Sequence, residues 1–97
     1  MKVENMTSSN GNKVANQFII KDRENDIVYF QSYNTIIVKK VWGKPEIGRR
    51  GETYLDKRHW DYSVTTGKYR NIFLGETKKE TEKKIANGEY ILADLNG

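Results

Sequence analysis

The segment from His59 to Gly75 constrains this chain more than any other. It holds one of the two Trp residues, the only His, and a dense mix of aromatic, hydroxyl and basic side chains. In its second half Tyr69, Ile72 and Phe73 fall at i, i+3 and i+4, the spacing of a helix with one apolar face. Lys68 and Asn71 fall on the opposite side, with Arg70 on the flank. Ser63, Thr65 and Thr66 each offer a hydroxyl that can accept a bond from a free amide at the helix start, and Gly75 suits its end. The first half reads as a strand end and turn that deliver the chain into this helix.

A second helix is predicted at once. Thr77 with Glu80 three residues later is a capping box, Glu80 and Lys84 pair at i, i+4 in the favourable order, and Gly88 ends the run. Only Ile85 and Ala86 give it apolar surface, so it should lie lightly on the domain.

Upstream the period is two rather than 3.6. Gln17–Ile20, Ile27–Tyr33 and Thr35–Trp42 read as strands, Thr53–Leu55 as a weak fourth, and Tyr90–Leu95 as a last one. A charged turn spans Lys21–Asp26, and Asn34, which tolerates positive φ, marks a second. Gly43–Gly51, with three glycines and the only proline, is a loop. Thr7–Asn12 is small and polar without a hydrophobic period, so residues 1–13 read as a flexible N-terminal tail. The expectation is an α+β fold in one domain over 14–97: a small antiparallel meander of three to five strands with two short helices in the C-terminal half. Its core should be Phe18, Ile20, Val28, Phe30, Ile36, Val38, Trp42, Leu55, Trp60, Tyr69, Ile72, Phe73 and Leu92.

Composition narrows the function classes. Seventeen Lys and Arg against thirteen Asp and Glu leave +4, a bias toward an acidic partner. The absence of cysteine excludes disulfides, thiolate catalysis and cysteine-held zinc, and fits a reducing cytosol. No apolar run suits a secretion signal or a membrane span, so a cytoplasmic location in a bacterial host cell is expected.

At Phe30–Ile37, and more specifically at Asp61–Gly75, the chain resembles a small uncharacterised family found in phages and conjugative elements of Gram-positive bacteria. The resemblance runs from about Gln17 to Asn96 and carries over no catalytic residue. It implies an accessory protein of a mobile element, a setting rich in nucleic-acid binders and in inhibitors of host defence, anti-CRISPR proteins among them.

Candidate chemistry concentrates in the same region. His59, Asp61 and Ser63 have the residue types of a nucleophilic triad, but alternation sets them side by side on one strand, whereas a triad converges from different elements onto an oxyanion hole. Asp56, His59 and Asp61 could ligate a metal, yet match no zinc spacing and read better as a solvated acidic patch. His59 with Lys57, Arg58, Tyr62 and Arg70 has the groups of a small ribonuclease, and the same groups make a phosphate-binding surface without chemistry. The expected function is therefore non-enzymatic, with no cofactor and no metal. Nucleic acid is the expected partner, bound through Lys39 or Lys40, Lys44, Arg49, Arg50, Lys57, Arg58, Tyr62, Lys68 and Arg70. The alternative is docking on a host defence effector through Tyr33, Tyr54 and Tyr62.

Overall fold

Alternating apolar side chains draw most of the chain into one sheet. In the computed structural model, which describes residues 1–97, six strands lie in chain order: β1 (Lys2–Thr7), β2 (Lys13–Asp22), β3 (Ile27–Ser32), β4 (Thr35–Val41), β5 (Glu52–Asp56) and β6 (Tyr90–Ala93). The first five pair antiparallel, and β6 runs parallel to β5. Parallel neighbours need a long crossover, and helices α1 (Val64–Leu74) and α2 (Lys78–Ala86) supply it. The α+β class stands, with two corrections: six strands instead of three to five, and a mixed sheet.

The predicted tail is a third correction. Residues 2–7 form edge strand β1, and the polar run after it is the hairpin turn, closed by Ser8 N–H to Asn12 O and Gly11 N–H to Ser8 O. The strand was illegible because it buries one side chain only, Met6, at 4% exposure. Glu4 on the same face is held by Lys2 and Lys21 at 3.0 and 3.6 Å, as suits a strand open to water along one edge.

Both helices cover the same face of the sheet. Ser32 Oγ meets Thr66 Oγ1 of α1 at 2.9 Å, and Phe30 stacks on Phe73 with centroids 5.8 Å apart. Glu76, just before α2, accepts from the Tyr90 hydroxyl of β6 at 2.6 Å. Ser63 caps α1, Gly75 closes it at φ 70°, and the Thr77–Glu80 capping box opens α2. No helix is long and apolar enough to cross a membrane.

The buried apolar core is Met6, Phe30, Ile37, Val38, Leu55 and Tyr69, with Trp60 and Phe73 packed against it. Ile37 replaces the expected Ile36 because of a β-bulge. Pairing steps from Phe30↔Val38 to Gln31↔Ile36, so Ile37 is an extra residue and two consecutive side chains point inward. Phe18 and Ile20 pair with Gln31 and Tyr29 on the uncovered face, and Val28 is half-buried. Trp42 lies past the end of β4 and Leu92 on edge strand β6, and both are exposed. Ile72 is exposed as well, since α1 turns Thr66, Gly67, Tyr69 and Arg70 inward. In the β3–β4 turn it is Tyr33, at φ 56°, and not Asn34 that takes the left-handed conformation.

If β1 is part of the folded unit, Met6→Ala should cost about 2 kcal/mol or more, the usual scale for a buried Met. Urea unfolding measures it, and unchanged stability would return these residues to the status of a tail.

Candidate nucleic-acid interface

The connection from β5 to α1 is built around two buried charged groups. Asp56, at the end of β5 and 1% exposed, accepts from Leu95 N–H at 2.9 Å, Arg58 N–H at 3.3 Å and His59 Nδ1 at 2.6 Å. Its backbone oxygen takes the amides of His59 and Trp60, and Lys57 N–H bonds Ala93 O. The turn backbone is thus tied down on both sides, and the Lys57 and Arg58 side chains are left in solvent.

Arg70 is the second buried charge and corrects the expected Lys68–Arg70 binding face. It is 1% exposed. Its Nη1 donates to Trp60 O at 2.6 Å and Asp61 Oδ1 at 3.3 Å, its Nη2 to Asn71 Oδ1 at 3.0 Å, and the guanidinium stands 5.2 Å from the Trp60 ring. A guanidinium with oxygen acceptors and an aromatic face is a site where Arg can be buried. Asp61 also takes Lys78 Nζ of α2 at 2.7 Å. No spacing in the sequence marks Lys78 or Asn71 as members of this group. Lys68, one residue before Tyr69, stays outside, its Nζ 5.5 Å from that ring.

The remaining predicted residues separate into two places. Lys44 and Arg49 both bind Asp26 Oδ2, at 2.7 and 3.1 Å, across to the β2–β3 turn. That end of the sheet carries Lys2, Lys21, Arg23, Lys44, Arg49 and Arg50 among Asp22, Glu24, Asp26, Glu46, Glu52 and Glu89, six cations among six carboxylates. The other end, about 17 Å away along the five residues of β5, holds Lys57, Arg58, Tyr62 and Lys68. None of those three cations has an ion-pair partner: the nearby carboxylates of Asp56 and Asp61 are engaged by other groups, and Asp94, next to the Ala93 that Lys57 bonds, accepts Asn96 N–H. Tyr62 is 47% exposed, edge-on to His59 at 5.4 Å, and lines one open depression with Val64, Lys68, Asn71 and Lys78. Lys39 lies on the uncovered sheet face and Lys40 on the helix side, so they belong to neither end.

The triad types do not assemble: the carboxylate on His59 is Asp56, Asp61 turns to Arg70 and Lys78, and Ser63 Oγ accepts Thr66 N–H as the helix cap. Asp56 and Asp61 thus serve different partners, which divides the metal set considered from sequence.

Fold and site together define an α+β domain with helices on one sheet face and, at one end, three exposed cations without ion-pair partners together with an exposed tyrosine. The chain belongs to the family described as a family of unknown function (DUF8033), whose model matches residues 1–88. No match was found among curated proteins or solved structures.

Buried carboxylates give the domain an acid limit. Burial pushes Asp56 up, but the bonds from Leu95, His59, Asn96 and Arg58 outweigh it and leave its carboxyl below the usual range. Glu76 is similar: burial raises it, and Lys84, Thr81 and Tyr90 bring it below. The unfolded chain therefore binds more protons in acid than the folded one. This stability is complete above ordinary carboxylate values, about 4, and is lost as pH falls through the lower folded values. The urea midpoint should hold from pH 7 to about 5 and drop below about 4, with a shallower drop in Asp56→Asn. A midpoint constant to about pH 3 would contradict this assignment.

Proposed function

We propose that this chain is a non-enzymatic nucleic-acid-binding accessory protein of a phage or other mobile element, and that it acts through the β5–α1 connection. One observation carries the reading: Lys57, Arg58 and Lys68 are exposed cations without carboxylate partners, at the end of the sheet that also exposes the Tyr62 ring. Unpaired Lys and Arg displace condensed counterions from a phosphate backbone, and a tyrosine ring stacks on an unpaired base. The Lys44–Arg49–Arg50 loop contributes less, because Asp26 already holds Lys44 and Arg49 and leaves Arg50 alone without an ion-pair partner.

Binding to labelled duplex and single-stranded probes across a salt series tests this. Replacing Lys57, Arg58 and Lys68 by Ala should lower the slope of log K against log salt on duplex DNA by about 2.7, at roughly 0.9 per phosphate contact. Replacing Lys44, Arg49 and Arg50 should leave the slope near its original value. Equal effects of the two triple variants, or no binding at low salt, would contradict the assignment.

A second reading, an inhibitor docking on a host defence protein, draws on Tyr33, Tyr62 and Val64. All three are exposed at this same end of the sheet, Val64 at 91%. Exposed tyrosines are frequent anchors of protein interfaces. That reading predicts tight protein binding with negligible affinity for free nucleic acid.

A further inference from the structure

The face of the sheet away from the helices has the wrong composition for a surface left in water. An antiparallel sheet with one wet face places polar residues there. Here a single cross-strand row runs over all six strands through Val3, Ile20, Tyr29, Lys39, Tyr54 and Ile91, each paired in register with the next. Five of the six are apolar or aromatic. Phe18 and Ile36 extend the apolar surface on one side of the row, Ile27 and Val41 on the other. Charge on this face is limited to Lys39 at the centre, Asp22 and Glu52 along one margin, and Asp56 at the other, where Leu95 N–H holds its carboxylate; Asn5 and Gln31 are the polar members of the Phe18–Ile36 row.

The size of the surface agrees. The chain exposes 6378 Å², whereas a folded monomer of 11.3 kDa is expected to expose about 5,700 Å². The excess is close to the roughly 800 Å² that each partner contributes to a standard interface. Only six apolar side chains are buried between sheet and helices, and fully buried Gln17, Ser32 and Thr66 take up space beside them.

We propose that a second copy of this chain covers this face, sheet against sheet, about a twofold axis parallel to the strands between β3 and β4. The row is self-complementary about that midpoint: Val3 meets the partner's Ile91, Ile20 meets the partner's Tyr54, and Lys39 meets the partner's Tyr29. Lys39 Nζ already lies 5.7 Å from the Tyr54 ring, so a second ring on its other side replaces lost water with cation–π attraction. A twofold perpendicular to the strands would instead set Lys39 over the partner's Lys39, a like-charge contact in a dry interface. The chosen axis brings Asp22 toward the partner's Glu52 at the rim, where salt screens their repulsion. The dimer therefore tightens with salt, opposite in sign to the nucleic-acid binding proposed above and independent of it.

Sedimentation of the full chain tests the proposal. The wild-type protein should run at twice 11.3 kDa at micromolar concentration. Tyr29→Glu and Tyr54→Glu should each weaken association at least about tenfold, while Ile72→Glu, exposed on α1 and off this face, leaves it unchanged. A wild-type protein still monomeric at about 100 μM, or a dimer indifferent to both face substitutions, overturns it. Should the variants unfold, the wild-type protein between about 0.05 and 0.5 M salt decides: tighter association supports the face-to-face dimer, and weaker association overturns it. The Lys57, Arg58 and Lys68 triple variant should remain dimeric even if it loses nucleic acid, which separates failure of one proposal from failure of the other.

Discussion

Burying the Arg70 guanidinium fixes the shape of everything around it. A cation inside a protein this small needs acceptors on several sides, and removing the partner of a buried charge costs on the order of 3–5 kcal/mol. The acceptors present are the Trp60 carbonyl, Asp61 and Asn71, with the Trp60 ring alongside. Asp61 is partly exposed, so that cost is discounted for its share of the pairing. Even so, three bonds from one side chain determine how the turn enters α1, and Asp61 also reaches Lys78 in the first turn of α2. Asp56 secures the other side of the same turn and the C-terminal segment with it. The exposed side chains of Lys57, Arg58, Tyr62 and Lys68 are what remains once the backbone beneath them is held.

The rest of the fold follows from a one-sided sheet. α1 and α2 share one face, where Phe30, Val38 and Leu55 meet Tyr69 and Phe73. The opposite face keeps an apolar row that crosses every strand. Charge is distributed along the strands rather than across them: the end with the β2–β3 turn balances its cations with carboxylates, and the end with the β5–α1 connection does not. Sheet face and sheet end thus offer two separate surfaces, one suited to apolar contact and one to anions.

Much of the fold was legible because its signals are local. Ser63, Gly75, Thr77 and Glu80 announce both helices through capping chemistry that acts within a turn. Alternation located β2 to β6 to within a few residues. What could not be read depends on distant partners. β1 buries only Met6, so its membership rests on a ladder to β2 that no periodicity reveals. The bulge at Ile37 shifts the alternation of β4 and moved Ile36 out of the expected core. Arg70 looked like a surface cation because helical spacing gives its angle on α1 but not the acceptors waiting at Trp60 and Asp61. The basic residues read as one group because sequence counts charges without showing that Asp26 reaches Lys44 and Arg49.

Residue-resolved NMR during titration with a short oligonucleotide distinguishes the β5–α1 connection from the rest of the surface as the place where anions bind. Amide shifts should concentrate between Lys57 and Lys68, with Lys44 to Arg50 and the Tyr29–Tyr54 sheet face unmoved. Shifts centred on the β4–β5 loop or spread over the sheet face would contradict that placement.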